Sequence, residues 1–208
     1  MRIFNFTVTV AIFLFSVSLL QATTHHVPDE YPTIQAAIDE AVDFDTVLVA
    51  DGTYTGDGNR DIDFLGKAIV LKSENGPQTC IINCGGWPYI HRGFNFQSGE
   101  DSNSVLEGFM IRNAWAYGEN GGAIYLNGSS PTIRDNIIID NTSYYGGGIY
   151  CYNNSSPFIT GNTITRNSAS RAGGICSVNN SSPTIENNMI WENEATLYGG
   201  GIYCLDNS

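Results

Sequence analysis

A chain of 208 residues is long enough for one domain with a sizeable core. Its 9 Lys and Arg stand against 21 Asp and Glu, a formal net charge of −12, so it should repel DNA, RNA and anionic lipid rather than steer toward them. The 23 glycines and the dense supply of Asn and Ser call for many tight turns, as in an all-β protein of short strands.

Residues 1–22 read as a signal peptide. Arg2 gives a positive start, Val8 to Leu20 is a largely apolar run, and Ala22 is a small residue at the cleavage point. The run is short for a membrane span, and no second run of membrane length follows. The mature domain, 23–208, is therefore expected outside the cytoplasm, secreted, extracellular or on the cell surface, and not as an integral membrane domain. His25 and His26 follow the cleavage point directly and read as part of a flexible terminus.

A short helix is predicted near 33–42. Thr33 is a good N-cap, and Ile34, Ala37, Ile38 and Ala41 make one apolar stripe at helical spacing. The strand Thr46 to Ala50 follows, then the turn Asp51-Gly52. In Asp57-Gly-Asn-Arg-Asp-Ile-Asp63, the residues Asp57, Asn59 and Asp61 mimic the start of an EF-hand loop, which makes calcium the one cofactor the chain suggests. Ile62 replaces the expected Gly and Ala68 the expected Glu, so the loop is not an EF-hand, and a polar lead into a strand is the simpler reading. Ile62 and Phe64 alternate with Asp61 and Asp63, apolar inward and carboxylates outward. Ala68 to Leu71 reads as another buried strand. If Cys80 to Cys84 is extended, its two Cα atoms lie about 13 Å apart, too far for a disulfide, which would require a turn. Neither cysteine has the spacing or His partners of a zinc site. His91 stands beside Arg92 without a motif.

From about residue 104 the chain repeats. Pro131, Pro157 and Pro183 are 26 residues apart, as are Asn136, Asn162 and Asn188, and Asn141, Asn167 and Asn193. Each proline follows a Ser-Ser pair, and upstream lie Gly121-Gly-Ala-Ile-Tyr125, Gly147-Gly-Ile-Tyr150, Gly173-Gly-Ile-Cys176 and, displaced by one residue, Gly200-Gly-Ile-Tyr203. Val105 to Asn113 is a degenerate earlier copy. A unit this short cannot bury its own apolar face; stacking can, so the repeats predict a solenoid. Parallel crossovers are right-handed with few exceptions, which gives a right-handed parallel β-helix whose first coil the helix would cap.

Stacking turns repeats into ladders about 4.8 Å apart. The two Asn series should pair amide to amide at coil corners. Ile138, Ile164 and Ile190 should form one inward stack, and Ile124, Ile149, Ile175 and Ile202 another. Asp140, Arg166 and Glu192 form a ladder of alternating charge that would help hold register. Cys151, Cys176 and Cys204 read as packing residues. Alternation then turns Tyr125, Tyr150, Cys176 and Tyr203 outward, with Tyr152 facing the same way. A strip of Tyr rings one coil apart would suit sugar faces or a protein partner, so Tyr125, Tyr150, Tyr152 and Tyr203 are the candidate ligand-binding residues. Cross-strand stacking that only covers backbone is the structural alternative. The final copy stops inside the Asn-Ser-Ser-Pro corner that earlier copies complete, which predicts further residues after Ser208.

Tyr31-Pro-Thr-Ile-Gln-Ala-Ala-Ile-Asp-Glu-Ala41, Asp45-Thr-Val-Leu-Val49 and Asp51-Gly-Thr-Tyr54 resemble the opening of the pectin-lyase-like β-helix superfamily. That superfamily includes pectate lyases, pectin methylesterases, polygalacturonases and secreted bacterial repeat proteins. The Gly-Gly-apolar repeats are similar, more loosely, to those of polymorphic outer-membrane proteins. The resemblance implies a carbohydrate-facing wall. Its enzymes need carboxylates holding calcium beside an Arg or Lys base, or paired carboxylates. The basic residues after the signal are Arg60, Lys67, Lys72, Arg92, Arg112, Arg134, Arg166 and Arg171, and none lies in such a motif, so no catalytic residue is assigned. Two functions follow: a secreted or cell-surface module binding a polysaccharide or a cell-surface protein, or part of a lyase, hydrolase or esterase acting on uronic-acid polymers. The acidic balance favours the first, because anionic polymers would be repelled unless calcium bridged them.

Overall fold

The computed structural model describes residues 21–208. All but the last two residues of the segment read as a signal peptide lie outside the described residues. No helix among them is long and apolar enough to cross a membrane.

The chain forms a right-handed parallel β-helix with one helix at its start. One full coil shows the plan. Thr132–Arg134 lies in a first wall, Ile137–Ile139 in a second, Thr142–Tyr145 in a third and Ile149–Tyr152 in a fourth, before Phe158–Thr160 returns to the first. The first wall has seven strands, the second and fourth six each, and the third only four. The third wall begins at Trp115–Asn120; in earlier coils irregular segments around 56–61 and 84–93 take its place.

Register follows the buried residues. Leu71, Leu106, Ile133, Ile159 and Ile185 stack inside the first wall. Tyr54, Ile82, Ile111, Ile138, Ile164 and Ile190 stack inside the second. Ile62, Phe94, Ile124, Ile149, Ile175 and Ile202 stack inside the fourth. Shifting any strand by one residue would turn its apolar set outward, so these stacks specify the pairing. Cys80–Asn83 is a strand, and both Cys80 and Cys84 are buried free thiols.

The corners are turned by the Asn columns. Asn136 Nδ2 donates to Asn162 Oδ1 at 3.1 Å and Asn162 Nδ2 to Asn188 Oδ1 at 3.0 Å. Asn141 Nδ2 donates to Asn167 Oδ1 at 2.9 Å, and Asn167 Nδ2 to Asn193 Oδ1 at 3.0 Å. Each receiving oxygen also accepts the backbone N–H of the Asn one coil earlier. A buried amide is thus satisfied on both sides, which removes the penalty of burying it. The residue before each Asn, such as Asp135, Asp140 or Arg166, has positive φ and makes the bend. Arg166 pairs with Asp140 through two hydrogen bonds of 2.9 and 2.7 Å, whereas its backbone N–H donates to the carbonyl of Glu192.

The helix Ile34–Glu40 starts where Thr33 Oγ1 accepts the Ala36 N–H at 3.2 Å. Ile34, Ala37 and Ile38 are fully buried on the first coil. The expectation of a flexible terminus at His25 and His26 is corrected. Thr24–Val27 is a strand parallel to Thr46–Val49, and alternation sends His25 and Val27 inward with Val47 and Val49. His25 Nε2 meets Asp45 Oδ2 at 3.0 Å, and Nδ1 meets the Tyr31 hydroxyl at 3.1 Å. Asp45 also accepts the N–H groups of Thr23 and Val42, so one carboxylate ties the first strand to the cap.

Candidate functional site

The tyrosine strip is not the open surface that alternation alone suggests. Tyr150 is only 5% exposed and Cys176 is fully buried. They belong to a second apolar cluster, outside the main core, with Ala172 and Val178 and with Tyr125, Tyr145, Tyr152 and Tyr203 packed against it. Tyr125 stacks on Tyr150 with centroids 5.8 Å apart, Tyr150 on Tyr152 at 6.0 Å, and Tyr145 leans over Tyr150 at 6.1 Å. Arg171 lies over the rings of Tyr145 and Tyr198, and Arg92 lies over Tyr125. The cause is the third wall, whose strands end against the fourth. Strand alternation says which face a residue takes, not what covers that face. Burial pushes the Tyr150 phenol well above its ordinary pKa. As a ligand-binding residue Tyr150 is therefore corrected to a packing residue, while Tyr125, Tyr152 and Tyr203 remain half-buried at the cluster's margin.

The three suggested calcium donors do not converge. Asn59 is buried; its Oδ1 accepts the Ile34 N–H at 3.0 Å and its Nδ2 donates to Thr55 O. It holds the helix start. Asp57 pairs with Arg60 at 3.0 Å. Asp61 Oδ1 accepts the Arg92 N–H at 2.7 Å, and Oδ2 meets His91 Nδ1 at 2.6 Å. Among the described residues, no three His, Cys, Asp or Glu side chains gather as an ion site.

The Asp61–His91 pair marks a cluster that sequence reading missed. Gly85 and Gly86, both at positive φ, lead the chain out of its coil into an arm, Trp87-Pro-Tyr-Ile90. The arm is pinned at both ends. Gly86 N–H donates to Asn113 O at 2.7 Å, and His91 and Trp115 exchange backbone hydrogen bonds of 3.1 and 3.0 Å. Trp87 and Tyr89 are 73% and 67% exposed. Trp115 stacks on Tyr117 at 5.7 Å, and Tyr117 is 64% exposed. Arg92 ties the neighbourhood together: Nη2 meets Glu119 Oε2 at 2.7 Å, and Nε donates to Asn120 O and Gly121 O. The only hint in the sequence was the run Gly85-Gly-Trp-Pro-Tyr-Ile-His91, whose glycines and aromatic residues belong to no repeat. A separate polar groove of about 290 Å³ lies between the last two coils, lined by Arg166, Asn167, Ser168, Glu192 and Glu194.

Every tyrosine except Tyr31 and Tyr54 lies on the third and fourth walls or on this arm, as do Trp87 and Trp115. The outer face of the first wall instead carries Lys72, Glu107, Arg134, Thr160 and Glu186 in register. The tyrosines are thus concentrated on one side of the solenoid, while Phe158 on the first wall and Trp191 on the second are exposed elsewhere. Residues 47–208 match the model of a family described as a right handed beta helix region. No curated protein and no solved structure matches the chain.

Proposed function

The chain belongs to the right-handed β-helix family, and from that premise we propose that it is a secreted or cell-surface recognition module that binds glycans along its aromatic side. The observation that carries this reading is the concentration of tyrosines on the third and fourth walls and the arm. Tyr and Trp combine a flat apolar face with a hydrogen-bonding edge. A pyranose offers the complement, a face of C–H groups rimmed by hydroxyls. Parallel stacking of coils repeats such contacts at a fixed interval, which suits a polymer of repeating units. The resemblance of the N-terminal segment to the pectin-lyase-like superfamily points the same way.

The test is a panel of neutral and acidic polysaccharides in affinity gel electrophoresis, run with calcium and with chelator. Retardation by at least one class without release of reducing or unsaturated ends is expected. Product release would instead favour the lyase, hydrolase or esterase alternative. A natively folded protein that no glycan retards would sink the reading and leave a protein partner as the better one. Export is tested separately: N-terminal sequencing of secreted material should begin Thr23-Thr24-His25. Retention of Met1 to Ala22 in exported protein would overturn the cleavage assignment.

A further inference from the structure

Resting on the glycan-binding reading, we infer that the arm carrying Trp87 and Tyr89, set against Trp115 and Tyr117, is a binding site for a neutral hexose unit of a glycan. Large apolar residues of a soluble domain are exposed in a group only when something other than burial selects them. Here the exposure is built in. The glycines raise the arm, and backbone hydrogen bonds at Gly86 and His91 hold it against the third wall. The rings are thus kept apart from the core by pairing at the arm's base, which preorganises them for a ligand.

The charges around the arm nearly cancel. Three cations near the arm have partners, Arg60 with Asp57, Arg92 with Glu119 and His91 with Asp61, while Arg112, whose carbonyl accepts the Cys84 N–H at the arm's base, has no ion-pair partner among the described residues. With Arg112 counted, three Arg stand against three carboxylates, a local charge of zero with His91 neutral and +1 with it charged. A neutral sugar needs no cation. It needs ring faces and a few oriented polar groups, and these are present. His91 makes its hydrogen bond to Asp61 through Nδ1, so Asp61 sets the ring's orientation and leaves Nε2 for a hydroxyl. Glu119 uses one oxygen on Arg92, leaving the other to accept. A mostly apolar surface with a small number of placed polar groups is the usual composition of a small-ligand site.

The experiment measures the full chain and its Trp87→Ala and Tyr117→Ala variants by isothermal titration with cellohexaose, mannohexaose and, as the anionic probe, hexagalacturonate. At least one neutral hexasaccharide should bind the parent chain, and each variant should weaken it by about tenfold or more. Both side chains are exposed, so the melting midpoint of each variant should stay within about 2 °C of the parent. Neutral binding should survive a rise in salt from about 0.1 to 0.5 M, since no ion pair to the ligand is screened. Neutral binding that both variants retain would overturn this site while sparing the glycan reading. So would salt-sensitive binding of hexagalacturonate alone. Failure of the parent chain to bind any of these probes or any polysaccharide of the panel would remove the reading itself.

Discussion

Buried polar and nucleophilic side chains in this solenoid are committed to the fold, and their environments make that measurable. Of the five cysteines only Cys204 is exposed. Burial pushes the Cys80 and Cys176 thiols up to about 12, so they are neutral as well as covered at pH 8. A thiol-specific chromogenic reagent should therefore titrate one thiol rapidly in the native protein and five after denaturation. Two or more fast thiols would mean that the coils open far more readily than their packing implies. Asp45 is the other telling residue. Burial raises its carboxyl, but the Val42 N–H, His25 and the Thr23 N–H outweigh that and hold it below the ordinary value. A depressed carboxylate contributes stability above its unfolded pKa of about 4 and loses it as pH falls through the lower folded value. Asp45→Asn should cost about 2 kcal/mol at pH 7, through weakened and mismatched hydrogen bonds. The difference from the parent chain should shrink in denaturant titrations below about pH 4. A gap that is constant with pH would show that the charge on Asp45 contributes nothing.

At the scale of strands and corners, stacking distance decides what each position tolerates. A Cβ added at Gly173 would meet Glu194 O at 2.4 Å and Asn167 O at 2.6 Å, all of it backbone. Gly122, Gly147, Gly148 and Gly174, ahead of fourth-wall strands, are likewise required because two coils pass too closely there for a side chain. Gly173→Ala should cost about 3 kcal/mol, read as a lowered denaturant midpoint. Asn167 accepts from Asn141 and donates to Asn193 and to Ile138 O. Asn167→Ala leaves several buried partners unmet and should cost about 3 kcal/mol. Arg166→Gln, one residue away, removes an ion pair that stands in solvent and should leave the midpoint nearly unchanged. If the two substitutions proved equal, the amide column would not be what turns the corner. Tyr150→Ala should likewise destabilise, by about 3 kcal/mol, because it empties the centre of the second apolar cluster.

Over the whole molecule, each coil touches only its neighbours, so protection should follow stacking rather than sequence position. The core residues Ile133, Ile138, Ile159 and Ile164 are fully buried between coils, whereas Ile202 in the last strand is 43% exposed. Hydrogen exchange should be slowest from about Leu106 to Thr165, where coils lie on both sides, and fastest in the raised arm Trp87-Pro-Tyr-Ile90. Uniform exchange rates would mean that the solenoid opens as one unit. The same stacking explains what could be read in advance. A period of 26 residues, kept to within one, is visible in the chain after residue 104 because the coils there are nearly equal in length. Period, Pro, Asn and Gly positions together imply the coil, the corner columns and the inward Ile stacks, and Thr33 with the stripe of Ile34, Ala37 and Ile38 implies the helix. Earlier coils vary, with 24 residues between Val47 and Leu71 and 35 between Leu71 and Leu106. No period aligns Asp61 with His91, or the arm with Trp115, so their meeting was invisible. Local alternation determined that Tyr150 faces away from the core, because side-chain direction is a property of its own strand. Whether that face meets water depended on a third wall arriving beside it, and only the packing of chain segments distant in sequence could decide that.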